Sequence, residues 1–133
     1  MQGMTPVPAD QVELIRKNAA MVREALTGAN GADAGFTAAG AAQLDSYIEA
    51  VRETAENASM LGQMFGCHLG ECLIAAFGGE WVFTPEGLGL RLAPAIVAYP
   101  LTKCARQMAD GRAESVRAYF ETTDALLRAQ ALG

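Results

Sequence analysis

Only one histidine, His68, occurs in the sequence, which excludes a metal centre built on two or more imidazoles. The cysteines, Cys67, Cys72 and Cys104, are odd in number, so a disulfide framework is not expected and they read as free thiols. On a helix Cys67 and Cys72 would stand about 140° apart, too far round to share a metal ion. Positive charge is scarce: 10 Lys and Arg against 15 Asp and Glu leave a net charge of −5, with the cations scattered rather than striped. That balance excludes a nucleic-acid backbone as partner. No glycine pattern has the spacing of a phosphate-binding loop, and no G-x-S-x-G elbow is present. The start, MQGMTPVPAD, has neither a basic cluster nor an apolar run, so it does not read as a secretory signal. Apolar runs are broken by Gly or Pro before the roughly 20 residues a membrane span needs. The expectation is a soluble cytoplasmic protein with no membrane partner and no cofactor.

What is present suits one globular domain. The chain has 133 residues, 51% hydrophobic and 19% charged, enough for a single core and too apolar for a disordered chain. Residues 1–9 read as a flexible amino terminus to a domain spanning 1–133. A first helix is predicted from about Asp10, as N-cap, to Leu26, stopped by Gly28, with Val12, Ile15, Ala19, Val22 and Leu26 inward. Thr37 is placed to cap a second helix, whose buried stripe is Leu44, Ile48, Val51 and Ala55. Asp45, Glu49, Arg52, Glu53 and Glu56 are expected mainly toward water. A third helix, starting near Asn57–Ser59 and ending at Gly78-Gly79, is apolar nearly all round and should be buried.

That third helix carries Gly62, Gly66 and Gly70 on one seam. Each glycine costs about 1 kcal/mol of helix stability relative to alanine, so the seam implies a second element crossing where no Cβ fits. Next, Glu80–Thr84, the turn Pro85-Glu86-Gly87 and Leu88–Leu92 form a hairpin pattern, with a third strand at Ile96–Tyr99. Pro100 opens a helix ending at Asp110-Gly111, and a last helix runs from about Ala113 to Ala131 through Val116, Phe120, Thr123 and Leu127. The fold class is α+β: several helices, one buried and glycine-seamed, packed with a small antiparallel sheet of about three strands.

The series Leu44-Asp45-x-Tyr47-Ile48, Leu61-Gly62, Leu69-Gly70-Glu71, Gly78-Gly79-x-Trp81, Pro100, Lys103 and Gly111 resembles a family of small bacterial cytoplasmic proteins of unknown function. Its signature is L-G-x(6)-L-G-E, then G-G-x-W, then P-x-x-K. The likeness spans roughly Gly35 to Leu126; it implies a stand-alone domain and marks Glu71 and Trp81, with no activity attached. His68 lies outside that pattern.

Glu71 projects from the apolar helix and needs a partner, because an unpaired buried carboxylate loses several kcal/mol of hydration or takes up a proton. Lys103, Arg106, Arg91 and the Trp81 indole N–H are the candidates. His68 with Glu71 offers at most two metal ligands, and His68 with Cys72 a Cys–His pair in an apolar setting; a core histidine is the simpler account. Two functional readings follow. One is a non-enzymatic binding or regulatory module that engages another protein through an acidic helical face including Glu49, Glu53 and Glu56. The other is a small-ligand domain or enzyme with Glu71, Trp81, Arg91 and Lys103 gathered around a pocket, Tyr99 beside them.

Overall fold

The computed structural model describes residues 3–132. Its elements are β1 (Thr5–Pro6), α1 (Ala9–Asn30), α2 (Ala38–Val51), α3 (Ala58–Phe77), β2 (Glu80–Thr84), β3 (Gly87–Ala93), β4 (Ile96–Ala98), α4 (Pro100–Asp110), a 3₁₀ turn (Gly111–Glu114) and α5 (Val116–Leu132). The α+β class is as expected, with four antiparallel strands in the order β1-β2-β3-β4 rather than three.

The glycine seam is crossed by α4. A Cβ on Gly62 would stand 3.1 Å from Ala105 Cα; one on Gly66 would overlap Leu101 Cα, and one on Gly70 would overlap the Trp81 ring. The seam therefore trades helix propensity for backbone-to-backbone contact, and α3 is buried from Phe65 to Gly70. By length and hydropathy α3 alone among the described helices could cross a membrane, but here it is the core helix.

The sheet lies against this pair through one face. Trp81, Leu90 and Ala98 are direct cross-strand neighbours in β2, β3 and β4, and all three are buried. Val7 joins the row, its amide donating to the Trp81 carbonyl at 3.1 Å. Residues 5–7, expected to be part of a flexible start, are thus paired to the sheet; Met1 and Gln2 of that stretch lie outside the described residues.

Other differences have local causes. Helix α1 runs past Gly28 and ends at Gly31, whose φ of 74° supplies the left-handed turn that Gly28 does not. Pro8 rather than Asp10 occupies the N-cap, and Asp10 sits in the first turn. Thr37 caps α2 as expected, accepting from the Gly40 amide at 3.1 Å. The strand expected to reach Tyr99 ends at Ala98, and α5 starts at Val116 after the 3₁₀ turn.

The polar side of α2 differs most. Asp45, expected in water, is 3% exposed. It accepts hydrogen bonds from Ser115 Oγ, the Arg117 amide at 3.2 Å and Arg112 Nε at 3.1 Å. Ser115 in turn accepts from the Ala118 amide at 3.1 Å. These two side chains, one from another helix, therefore satisfy two of the free donors that start α5. Fully buried Gln107 continues the network, accepting from the Val116 amide at 2.8 Å and donating to Glu49 Oε2 at 3.0 Å. Arg52 covers the far end of α4, donating to the carbonyls of Gln107 and Ala109.

Candidate functional site

The four residues expected around one pocket are not brought together. Trp81 Nε1 donates to Glu71 Oε2 at 3.0 Å, so the indole is the partner Glu71 requires. The second partner, missed in the sequence, is Arg16 of α1, with Nε 3.6 Å from Glu71 Oε1. Glu71 keeps only 13% of its side chain exposed, whereas Arg16 is largely in solvent.

Arg91 pairs instead with Glu80 at 2.6 Å. These two are opposite each other in the β2–β3 register, and alternation turns both away from the face that carries Trp81 and Leu90. The sequence pattern puts Gly87 in the turn; in the structure Gly87 pairs with Thr84, which shortens the turn to Pro85-Glu86 and sets Glu80 opposite Arg91. Lys103 is turned away for a helical reason. Pro100, Leu101 and Ala105 of α4 face the α3 glycines, and residue 103 stands about 200° round from 101 and 105. Its Nζ meets Glu114 Oε2 at 2.6 Å and lies 5.6 Å from the centre of the Tyr119 ring.

Glutamine at position 71 could still accept from the indole, and the Arg16 pair is one that water screens. Glu71→Gln is therefore expected to cost about 1 kcal/mol or less in urea unfolding near neutral pH. A loss of about 3 kcal/mol would show that the charge itself anchors the fold.

His68 is fully buried in α3. Its Nδ1 lies 3.8 Å from Cys72 Sγ, the Phe36 ring centre is 5.4 Å away, and Nε2 has no hydrogen-bond partner. Burial, with a smaller contribution from Arg23, lowers the imidazole to about 4, and burial pushes the Cys72 thiol up to about 12. At neutral pH the pair is a neutral imidazole beside a protonated thiol, not a nucleophile with its base. Cys67 is likewise pushed up to about 11, and Cys104 well above its ordinary value, by burial. Native protein at pH 8 should leave all three thiols unmodified by a thiol-exchange reagent for as long as it stays folded, and denaturant should release all three. Rapid modification of any one in the native state would contradict this placement. Among the described residues no group of three or more His, Cys, Asp or Glu side chains stands close enough to hold a metal ion.

A different constellation does line a cleft. Tyr99, Thr102, Lys103 and Arg106 fall at helical spacing along one side of α4, with Tyr119 of α5 and Glu86 of the β2–β3 turn opposite, around a volume of about 320 Å³. The Tyr99 hydroxyl lies 3.2 Å from Thr84 Oγ1 and donates to Glu86 Oε2 at 3.4 Å. The Tyr119 hydroxyl accepts from the Tyr99 amide at 3.4 Å, and burial pushes its phenol up. The hydrogen bond from Lys103 holds the Glu114 carboxyl below its ordinary value. Arg106 is the one lysine or arginine among the described residues with no carboxylate within 4.0 Å; the other nine all pair. Sequence reasoning named Tyr99, Lys103 and Arg106 but assigned them to Glu71 and Trp81. Glu86 and Tyr119 join only through tertiary packing.

Comparison with protein-family models, with curated proteins and with solved structures finds no match to this chain.

Proposed function

We propose that this protein is a small, non-enzymatic binding domain whose ligand site is the cleft between α4, α5 and the β2–β3 turn, and whose ligand carries an anionic group held by Arg106. The single observation behind this is Arg106 itself, unpaired in a concave site while every other lysine and arginine among the described residues is paired. Such a group is available to a carboxylate or similar anion, and the phenols of Tyr99 and Tyr119 and the Thr102 hydroxyl add hydrogen-bonding capacity around it. A non-enzymatic role is supported by the buried, protonated thiols and neutral histidine, none of which lines this cleft. Three unpaired thiols favour a reducing, cytoplasmic setting.

The protein-partner reading has less support. Of the acids on which it drew, Glu49 accepts from Gln107 and Glu53 lies 3.7 Å from Arg52.

A fragment screen of small carboxylates by amide chemical-shift mapping tests the proposal. Hits should move the amides of residues 86–87, 99, 102–106 and 119, and Arg106→Gln should weaken them at least about tenfold while the protein stays folded. Hits that settle elsewhere, or that ignore Arg106→Gln, would refute it.

A further inference from the structure

The cleft holds a second ionised group without a counter-ion. Glu86 accepts only the long bonds from the Thr84 and Tyr99 hydroxyls, at 3.3 and 3.4 Å, and has no cation within 4.0 Å. Arg106 and Glu86 therefore border the same hollow, oppositely charged and not paired with each other. Glu86 reaches the Tyr99 hydroxyl, Arg106 stands seven residues beyond Tyr99 on α4, and no nitrogen of Arg106 lies within 4.0 Å of the Glu86 carboxylate. Thr102 and Tyr119 line the same hollow.

Charge decides among ligand classes. Lys103 is matched by Glu114 at 2.6 Å, and Arg106 is balanced within the cleft by Glu86, so no excess of positive charge awaits a dianion such as phosphate. A plain carboxylate would satisfy Arg106 and leave Glu86 without a cation. An α-amino acid carries both charges on one carbon, whereas Arg106 and Glu86 stand too far apart to pair with each other. The arrangement matches a ligand with a positive group at one end, a negative group at the other and an apolar linker between.

We infer that the cleft takes a short, extended zwitterion, its ammonium on Glu86, its carboxylate on Arg106 and its linker along the Tyr119 ring. ω-Amino acids and dipeptides share that chemistry. The inference rests on the cleft being the ligand site and adds the class of ligand.

Calorimetric titration of the full chain with ε-aminocaproate and with glycylglycine, against caproate, hexylamine, alanine and inorganic phosphate, tests it. At least one zwitterion should bind about tenfold or more tighter than caproate and hexylamine, and the better of the two identifies the source. Glu86→Gln, a change in an exposed turn, should bring the zwitterion down to the affinity of caproate; Arg106→Gln should bring it down to that of hexylamine. Equal affinity for caproate or phosphate would overturn the zwitterion while keeping the cleft as an anion site. Tighter binding of alanine would overturn the extended form. Failure of every probe here, with carboxylate fragments still mapping to the cleft, would sink this inference alone; failure of both would remove the site as well.

Discussion

Gly66→Ala should unfold the protein or cost it more than about 3 kcal/mol, although alanine is the better helix former by about 1 kcal/mol. The two effects oppose each other, and geometry decides the sign. A Cβ at position 66 would fall on Leu101 Cα and within 2.7 Å of Leu101 N, backbone that cannot rotate aside. Relief would require α4 to retreat from α3 along their whole contact. Gly28→Ala is the matched control. Gly28 is inside α1, away from the left-handed region, with nothing within 4 Å of an added Cβ. There the propensity term acts alone and should stabilise by about 0.5–1 kcal/mol. Urea unfolding of the two variants beside the wild type should show opposite signs; a tolerated Gly66→Ala would mean the helices are not in backbone contact.

Asp45→Asn should cost about 3 kcal/mol at neutral pH, and the cost should shrink in acid. Burial alone would push the Asp45 carboxyl up, but the bonds from Ser115, the Arg117 amide and Arg112, with the Gln107 amide nearby, outweigh it and hold the group below its ordinary value. An amide at this position turns an NH₂ toward donors that need an acceptor. The sign follows from linkage. A carboxyl whose folded pKa lies below its unfolded value of about 3.9 contributes its full stability above that value. The contribution is lost as pH falls through the folded pKa, where the protonated acid resembles the amide. The gap between the unfolding free energies of wild type and variant should therefore be smaller near pH 3 than at pH 7, and a gap that ignores pH would contradict this assignment.

Asp45 also marks where sequence ceases to inform. Its partners lie 67 to 72 residues away, and nothing local separates it from Glu49, Glu53 and Glu56, the acids that follow it in the chain. The glycine seam was legible because its cost is local: three helix-weakening residues on one line require a neighbour, and only the identity of α4 had to come from the structure. The hairpin was legible for the same kind of reason, its alternation and turn residues being adjacent in the chain. At the site, the Glu71–Trp81 bond was foreseeable from two neighbouring motifs, while Arg16 was not, since α1 offers several charges and no rule chooses among them. The cleft depended on facts available only in three dimensions: that Arg91 is held by its cross-strand Glu80, that Lys103 faces away from α3, and that Tyr119 and Glu86 meet α4 from the far side.

Two corners of one molecule thus differ in how their charges are paired. The Glu71–Trp81 pair ties the core helix to the sheet and leaves no cation waiting for a ligand. The α4 cleft has an unpaired cation, an unpaired carboxylate and two phenols around an open volume. The measurement that separates them most directly is binding of one carboxylate-bearing probe to Arg106→Gln and Glu71→Gln side by side with wild type. Retained affinity in Glu71→Gln and a loss of about tenfold or more in Arg106→Gln is the result expected; unchanged binding in Arg106→Gln, with loss in Glu71→Gln, would place the site at the other corner and contradict the account.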